Sequence, residues 1–183
     1  MTNSKGTLYL CATPIGNLED MTFRAVRILK EVDVIAAEDT RNSVKLLNHF
    51  DIHTPMTSYH EFNKIDKGQY LVKRLLEGEN IALITDAGMP GISDPGEELV
   101  RMCRDAGVPV TAVPGACACV TALVISGRPT RRFCFEAFLP TDKKERRAVL
   151  EELKTETRTS IIYEAPHRLV KTLQGLPTIR KPR

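Results

Sequence analysis

Ile81-Ala82-Leu83-Ile84-Thr85, followed by Asp86-Ala87-Gly88-Met89-Pro90-Gly91-Ile92-Ser93-Asp94-Pro95-Gly96, is the stretch on which the fold turns. The apolar run has the length and composition of a buried strand, and the segment beyond it carries Leu99, Val100, Cys103 and Ala106 on one amphipathic helix face. Between them stand three glycines, two prolines and two aspartates. Glycine admits positive φ and leaves no side chain in the way of a ligand, while proline stiffens the loop. Such a strand–loop–helix junction marks the carboxyl edge of a parallel sheet, where open α/β folds bind ligands. Alone, the loop also fits an ordinary turn. Similar junctions elsewhere in the chain favour the ligand reading.

Working outward, short apolar runs alternate with helix-period segments. Strands are expected at Thr7–Cys11, Val32–Ala36, Met56–Tyr59, Ile81–Thr85 and Val108–Val113. The first is followed by Pro14-Ile15-Gly16-Asn17 and by a helix that Thr22 can cap, with Ala25, Val26, Ile28 and Leu29 inward. Further helices carry Val44, Leu46 and Leu47, then Leu71, Val72, Leu75 and Leu76. The βαβα order predicts a mainly parallel sheet with helices on both faces. Right-handed crossovers then put Pro14–Asn17, Glu38–Arg41, His60–Asn63, Asp86–Asp94 and Pro114–Cys117 along one rim.

A second composition begins near Ser126-Gly127. Residues 1–126 carry a net charge of −4 and residues 127–183 a net charge of +7, giving +3 over 183 residues. Domains are therefore expected at 1–126 and 127–183. The second contains a strand at Phe133–Leu139, a charged helix from Lys143 to Thr155 with Val149, Leu150 and Leu153 inward, and a strand at Thr159–Tyr163. Strand–helix–strand–helix over so short a span is too little for an independent sheet, so this domain is expected to be incomplete. A one-sided basic region is the footprint of a phosphate-backbone partner, or simply a solvated face.

The composition is that of a globular chain, 42% hydrophobic and 27% charged. No apolar stretch approaches a bilayer span, and the start lacks a signal-peptide core, so no membrane partner is expected. Five cysteines without a C-x-x-C pair fit a reducing cytoplasm. Cys117, Cys119 and four scattered histidines show no zinc spacing, and no metal is expected. Dinucleotide, P-loop and G-x-S-x-G signatures are absent from the sequence. What the rim offers is carboxylates (Glu38, Asp39, Glu61, Asp86, Asp94), the proton carriers His60 and His167, and Arg41. Asp94 equally fits a cap of the following helix, and Arg41 a partner for Glu38.

The junctions Pro14-Ile15-Gly16-Asn17-Leu18, Ala37-Glu38-Asp39-Thr40-Arg41, His60-Glu61-Phe62-Asn63, Asp86–Gly96, Pro114-Gly115 and Tyr163-Glu164-Ala165-Pro166-His167-Arg168 resemble the tetrapyrrole methylase superfamily. More narrowly they resemble its bacterial branch that 2′-O-methylates a cytidine ribose in small-subunit ribosomal RNA. The likeness runs in order from Gly6 to Leu173. It implies two αβα domains with S-adenosylmethionine folded in the cleft between them, usually in a homodimer. By motif, the cofactor contacts include Pro14, Asp86, Gly88, Met89, Gly91, Ile92, Ser93 and Cys117. Ala118, Phe138, Leu139, Ala165 and Pro166 complete the set.

The implied reaction needs a ribose hydroxyl aligned for in-line attack and relieved of its proton. Glu38, Asp39, His60 and Glu61 are the candidates for proton acceptance or substrate positioning, and the sequence leaves all four open. Arg41, Arg131, Arg132, Lys143, Lys144, Arg146, Arg147 and Arg168 would meet phosphates of the RNA or of a 30S-type particle. Three departures stand out. Pro114-Gly115-Ala116-Cys117-Ala118 replaces the common Pro-Gly-Pro-Ser-Ala, Phe62 replaces a second histidine, and the chain ends at Arg183 before the family's A-R-E-x-T-K-like motif. The rival expectations are a methylase acting on a small tetrapyrrole and a non-catalytic RNA-binding or assembly protein.

Overall fold

The apolar run at 81–84 becomes the central strand of a five-stranded sheet in a computed structural model that describes residues 4–176. Its strands are β1 (Leu8–Cys11), β2 (Val34–Ala37), β3 (Met56–Ser58), β4 (Ile81–Ile84) and β5 (Val110–Val113), in the spatial order β3-β2-β4-β1-β5. Every pairing is parallel, with Leu8 opposite both Ile81 and Val110, and Val34 opposite Ile81. The helices that cover it are α1 (Phe23–Glu31), α2 (Thr40–His49), α3 (Lys64–Leu76) and α4 (Gly96–Asp105).

Strand alternation divides the core between two faces. Ile35, Ala37, Ala82 and Ile84 pack with Ala25, Ile28 and Leu29 of α1 and Leu47 of α2. Val34, Ala36, Ile81 and Leu83 pack with Leu71 and Leu75 of α3 and Leu99 and Cys103 of α4. Each fully buried leucine or isoleucine contributes about 1.5–3 kcal/mol relative to exposure. Thr22 caps α1 by accepting the Ala25 N–H at 3.1 Å. On α2, by contrast, Ser43 turns inward with Leu47, while Val44 is exposed.

Two strands begin later than the apolar runs suggest. Val32 closes α1 by donating to the Ile28 carbonyl, and the Asp33 carboxylate accepts the Asn80 N–H at 2.7 Å, so β2 starts at Val34. Val108 closes α4 by donating to the Cys103 carbonyl at 2.8 Å, so β5 starts at Val110.

This topology fixes where a ligand can enter. The chain leaves β1 for α1 on one face and leaves neighbouring β4 for α4 on the other. Adjacent strands whose connections depart to opposite faces form a topological switch point, and the crevice opens at their carboxyl ends.

The chain divides into units Met1–Cys117 and Ala118–Arg183. The boundary thus falls nine residues before the composition change at 126, and α5 (Ala118–Ile125) belongs with the second unit. Its Cys119 N–H donates to the Tyr163 hydroxyl at 3.0 Å, a tie that composition does not announce. Residues 118–126 carry no charge, so the two units keep net charges of −4 and +7. The rest of the described second unit is β6 (Phe133–Phe138), α6 (Lys143–Thr155), β7 (Thr159–Tyr163), a 3-10 turn at Pro166–Arg168 and α7 (Leu169–Gly175). β6 and β7 pair in parallel, with a register shift between Phe135 and Phe138 where Ala137 adopts a φ of 52°. Leu153 is buried, whereas Val149 and Leu150 are only half-buried. Among the described residues no helix is long and apolar enough to cross a membrane.

Candidate functional site

In the first unit the expected rim is formed, and hydrogen bonds join its loops. Thr13, directly after β1, exchanges two backbone hydrogen bonds with Gly88 of the glycine loop, at 3.0 and 3.1 Å. The Thr13 hydroxyl also donates to the Thr85 carbonyl at 3.2 Å. This ladder places Pro14 beside the loop at the switch point. Gly88 has φ 88°, and a Cβ there would stand 3.4 Å from Ile15 Cγ2 and 3.8 Å from the Ala116 carbonyl oxygen. Glycine therefore serves both the conformation and the close packing of the β1, β4 and β5 loops. At Gly115 a Cβ would lie 2.9 Å from Ala12 Cβ, which keeps Pro114–Cys117 tight against the same edge.

The far arm of the glycine loop is held by Asp94. Its carboxylate accepts N–H bonds from Gly91 at 2.8 and 2.9 Å, Ile92 at 3.0 Å and Gly96 at 2.8 Å. Asp94 thus shapes the loop, the capping role left open by the sequence. The cradle holds Ser93 at φ 65°, a conformation an L side chain rarely adopts. Asp86, Ile92 and Ser93 are exposed, Met89 and Gly91 are half-buried, and Gly88 is buried. Tyr59, at the end of β3, donates to the Pro95 carbonyl at 3.0 Å and ties the third loop to the start of α4. Glu61, Lys64, Ser93 and Asp94 line one depression of about 380 Å³ there.

The four catalytic candidates differ sharply in environment. Glu38 follows β2 and is half-buried; burial first, and then the Asp86, Asp94 and Asp39 carboxylates, raise its pKa above the ordinary carboxylate value. Asp39 is held down at about 2 by the Arg41 guanidinium, whose Nε and Nη2 donate to its two oxygens at 3.0 and 2.6 Å. Arg41 therefore pairs with Asp39 rather than with Glu38. Glu61 is exposed and accepts from Lys64 Nζ at 2.5 Å. His60 has a buried Nδ1 without a hydrogen-bond partner among the described residues, and its backbone N–H donates to Asn63 Oδ1 at 2.8 Å. Asn42 Nδ2 donates to Asp86 Oδ2 at 3.1 Å and orients that carboxylate.

The second unit assembles its own group of candidates at the carboxyl edge of β6 and β7. The Phe138 ring packs edge-on against Tyr163 with centroids 5.5 Å apart, and Phe135 does so at 4.9 Å. The Tyr163 hydroxyl accepts the Cys119 N–H, which brings the start of α5 and Ala118 to the same place. Leu139 is buried. Ala165 and Pro166 follow β7, and the Glu164 carboxylate accepts the Ala165 N–H at 2.8 Å and the Thr172 hydroxyl at 2.5 Å.

The basic candidates divide into two sets. Arg131, Arg132, Lys143, Lys144 and Arg147 are exposed. Arg146 donates to the Thr172 hydroxyl at 3.2 Å, and Arg168 stands 3.5 Å from Glu164, so these two are partly spent on the unit's own structure. Lys143, Arg146, Arg147 and Lys154 line a cavity of about 370 Å³. Sequence reading missed Thr13, Asn42, Tyr59, Tyr163 and Thr172. Of these, Thr13 carried a signal as the polar residue closing an apolar strand before Pro14, and Tyr163 as the first residue of the Tyr163–Arg168 junction.

The sequence model of the family described as Tetrapyrrole (Corrin/Porphyrin) Methylases matches residues 7–181. The chain belongs to this family. Within the tetrapyrrole methylases it is similar to proteins called ribosomal RNA small subunit methyltransferase I. It is 60% identical over 174 residues to that of Halalkalibacterium halodurans, covering 95% of this chain and 60% of the relative. It is 56% identical to that of Synechocystis sp. over 173 residues, covering 94% and 62%. The chain thus spans about three fifths of the length of these curated relatives. A crystal structure of diphthine synthase shares the fold, with a TM-score of 0.72 and 12% identity over 88% of this chain and 65% of that one. The expected family and the parallel α/β architecture are both borne out.

Proposed function

We propose that this chain binds S-adenosylmethionine and serves the 2′-O-methylation of a cytidine ribose in small-subunit ribosomal RNA. The observation that carries the cofactor assignment is the joined edge of the first unit, where the Thr13–Gly88 ladder sets Pro14 beside the Asp86–Ser93 loop. The residues present suit the ligand. Glu38, Asp39 and Asp86 crowd negative charge at this edge, and the elevated pKa of Glu38 reflects in part their mutual repulsion. A cation relieves that repulsion, and both the sulfonium and the ammonium of the cofactor are cationic.

The bound cofactor supplies an activated sulfonium methyl, so the protein has to align the hydroxyl and accept its proton. Glu38 is assigned as the acceptor, because its raised pKa makes it a stronger base than an ordinary carboxylate. Asp39, with its pKa near 2, is too weak a base, and Glu61 is engaged by Lys64. His60 then serves substrate positioning from the end of β3. In the second unit, the expected cofactor contacts are Ala118, Phe138, Leu139, Ala165 and Pro166, grouped around Tyr163. Its exposed Arg131, Arg132, Lys143, Lys144 and Arg147 supply the RNA phosphate contacts, and Arg41 adds one from the first unit. The RNA reading is supported by similarity to the ribosomal RNA methyltransferases and by the +7 charge of this unit. A homodimer would cover the exposed apolar Val120, Val124 and Ile125 on α5, and the five cysteines without a C-x-x-C pair fit a reducing cytoplasm.

Calorimetry with S-adenosylhomocysteine on wild type and Asp86→Arg tests the site. At least a tenfold loss of affinity in the variant is expected, and equal affinity removes the glycine loop from it. Labelled methyl transfer tests the substrate, with small ribosomal subunits against a precorrin-type tetrapyrrole. Transfer to the tetrapyrrole alone overturns the RNA reading. Salt-dependent RNA binding by a chain that also fails to bind the cofactor analogue favours a non-catalytic binding protein.

A further inference from the structure

We propose that Phe62 is a stacking platform for an unpaired nucleobase, placed at the carboxyl edge of the first unit; this rests on the RNA reading above. Isolated exposed apolar side chains are common and need no explanation by themselves. Phe62 differs in how it is held and in what surrounds it. The ring is 97% exposed in the turn between β3 and α3. That turn is fixed from beneath, because Asn63 Oδ1 accepts the His60 N–H at 2.8 Å and Tyr59 is anchored to Pro95. The ring is therefore held outward by rigid backbone rather than left on a loose loop. His60 packs against it at 64° with centroids 6.1 Å apart, an aromatic pair at the surface.

The neighbours supply the remaining logic. Glu61 and Lys64 bracket Phe62 in the sequence and pair with each other, and both line the depression shared with Ser93 and Asp94 of the glycine loop. Phe62 thus stands beside the loop proposed to hold the cofactor. Sequence-specific recognition of RNA targets unpaired segments whose bases are splayed out, and a base so displaced loses its stacking partners. An aromatic face restores that contact without reading base identity. The other exposed phenylalanine and tyrosine rings of the first unit are less suited. Phe23 lines an apolar groove with Met21, Val26 and Phe50. Tyr70 is covered by Lys67 and Arg74, at 4.6 and 5.7 Å from its centroid.

The chain contains no tryptophan, so Phe62→Trp installs a single indole, excited selectively over the four tyrosines, at the proposed platform. Phe50→Trp, at the carboxyl end of α2 and therefore at the opposite edge of the sheet, is the control. The probe is a short RNA hairpin with unpaired cytidines in its loop, titrated against the full 183-residue chain. The expected result is quenching of the indole in Phe62→Trp but not in Phe50→Trp. Phe62→Ala should bind the hairpin about tenfold more weakly at an unchanged unfolding midpoint. Tight hairpin binding with an unquenched Phe62→Trp and no loss in Phe62→Ala overturns the platform while leaving the RNA reading intact. Absence of hairpin binding by wild type that still binds S-adenosylhomocysteine overturns the RNA reading, and the platform with it.

Discussion

The first unit encloses two apolar clusters on either side of five parallel strands, whereas the described part of the second has three helices and two strands. In the first, Leu8, Ile35, Leu71, Ile81 and Leu99 are wholly inaccessible. In the second the buried apolar side chains are few, while Val120, Val124, Ile125, Val170 and Leu173 face solvent. The charges divide in the same way, −4 against +7. A unit with a complete core can keep a strained, glycine-rich loop in shape, because its neighbours over-determine the backbone. A unit with little core holds its shape by polar ties, here Tyr163, Glu164 and Thr172, and its surface charge is available for a partner.

Leu83→Ala should give the largest effect, since the side chain is sealed between sheet and helices in the second of those clusters. Urea unfolding followed by far-ultraviolet dichroism should show a loss of about 3 kcal/mol in the first unit. Leu153→Ala in the second unit should cost about half as much. Equal losses would show that the two cores are equally well packed.

An intermediate effect is expected from charge. Lys143→Ala with Lys144→Ala should weaken RNA binding several-fold. It should also make the dependence of log affinity on log salt shallower by roughly 0.7 for each phosphate contact removed. Lys30→Ala on α1 should leave that slope unchanged, and an equal change in slope would erase the electrostatic contrast between the units.

The smallest effect concerns the acidic edge. Glu38 has a folded pKa above its ordinary value of 4.5, so its contribution to stability is fully present below 4.5 and is lost as pH rises through the elevated value. Glu38→Gln removes that loss. The variant should melt above wild type at pH 8, with the gap closing toward pH 4.5. A variant less stable than wild type at pH 8 would show that no strain from crowded charge resides there.

The architecture is legible because buried parallel strands write themselves as apolar runs, and the loops after them as clusters of glycine, proline and acid. Every strand and helix expected in the described residues is present, with shifts at Val34 and Val110 where helix closure takes the first residues of an apolar run. The convergence of Pro14, Glu38, His60, Asp86 and Pro114 on one edge follows from right-handed crossovers alone. Ties between distant residues are not legible. Asn42 reaches Asp86 across 44 positions, and the Cys119 N–H reaches the Tyr163 hydroxyl across another 44, and nothing in periodicity or composition encodes such pairs. The composition change at 126 likewise carries no trace of the tie between α5 and β7. Nor can the sequence rank Glu38, Asp39, His60 and Glu61, because their differences come from partners that only folding supplies.

The reciprocal ladder between Thr13 and Gly88 makes residues 12–15 and 86–96 a matched pair. A glycine loop transplanted from a cousin will sit correctly only if its opposite number travels with it. Anyone exchanging this edge between relatives should move both segments in one step.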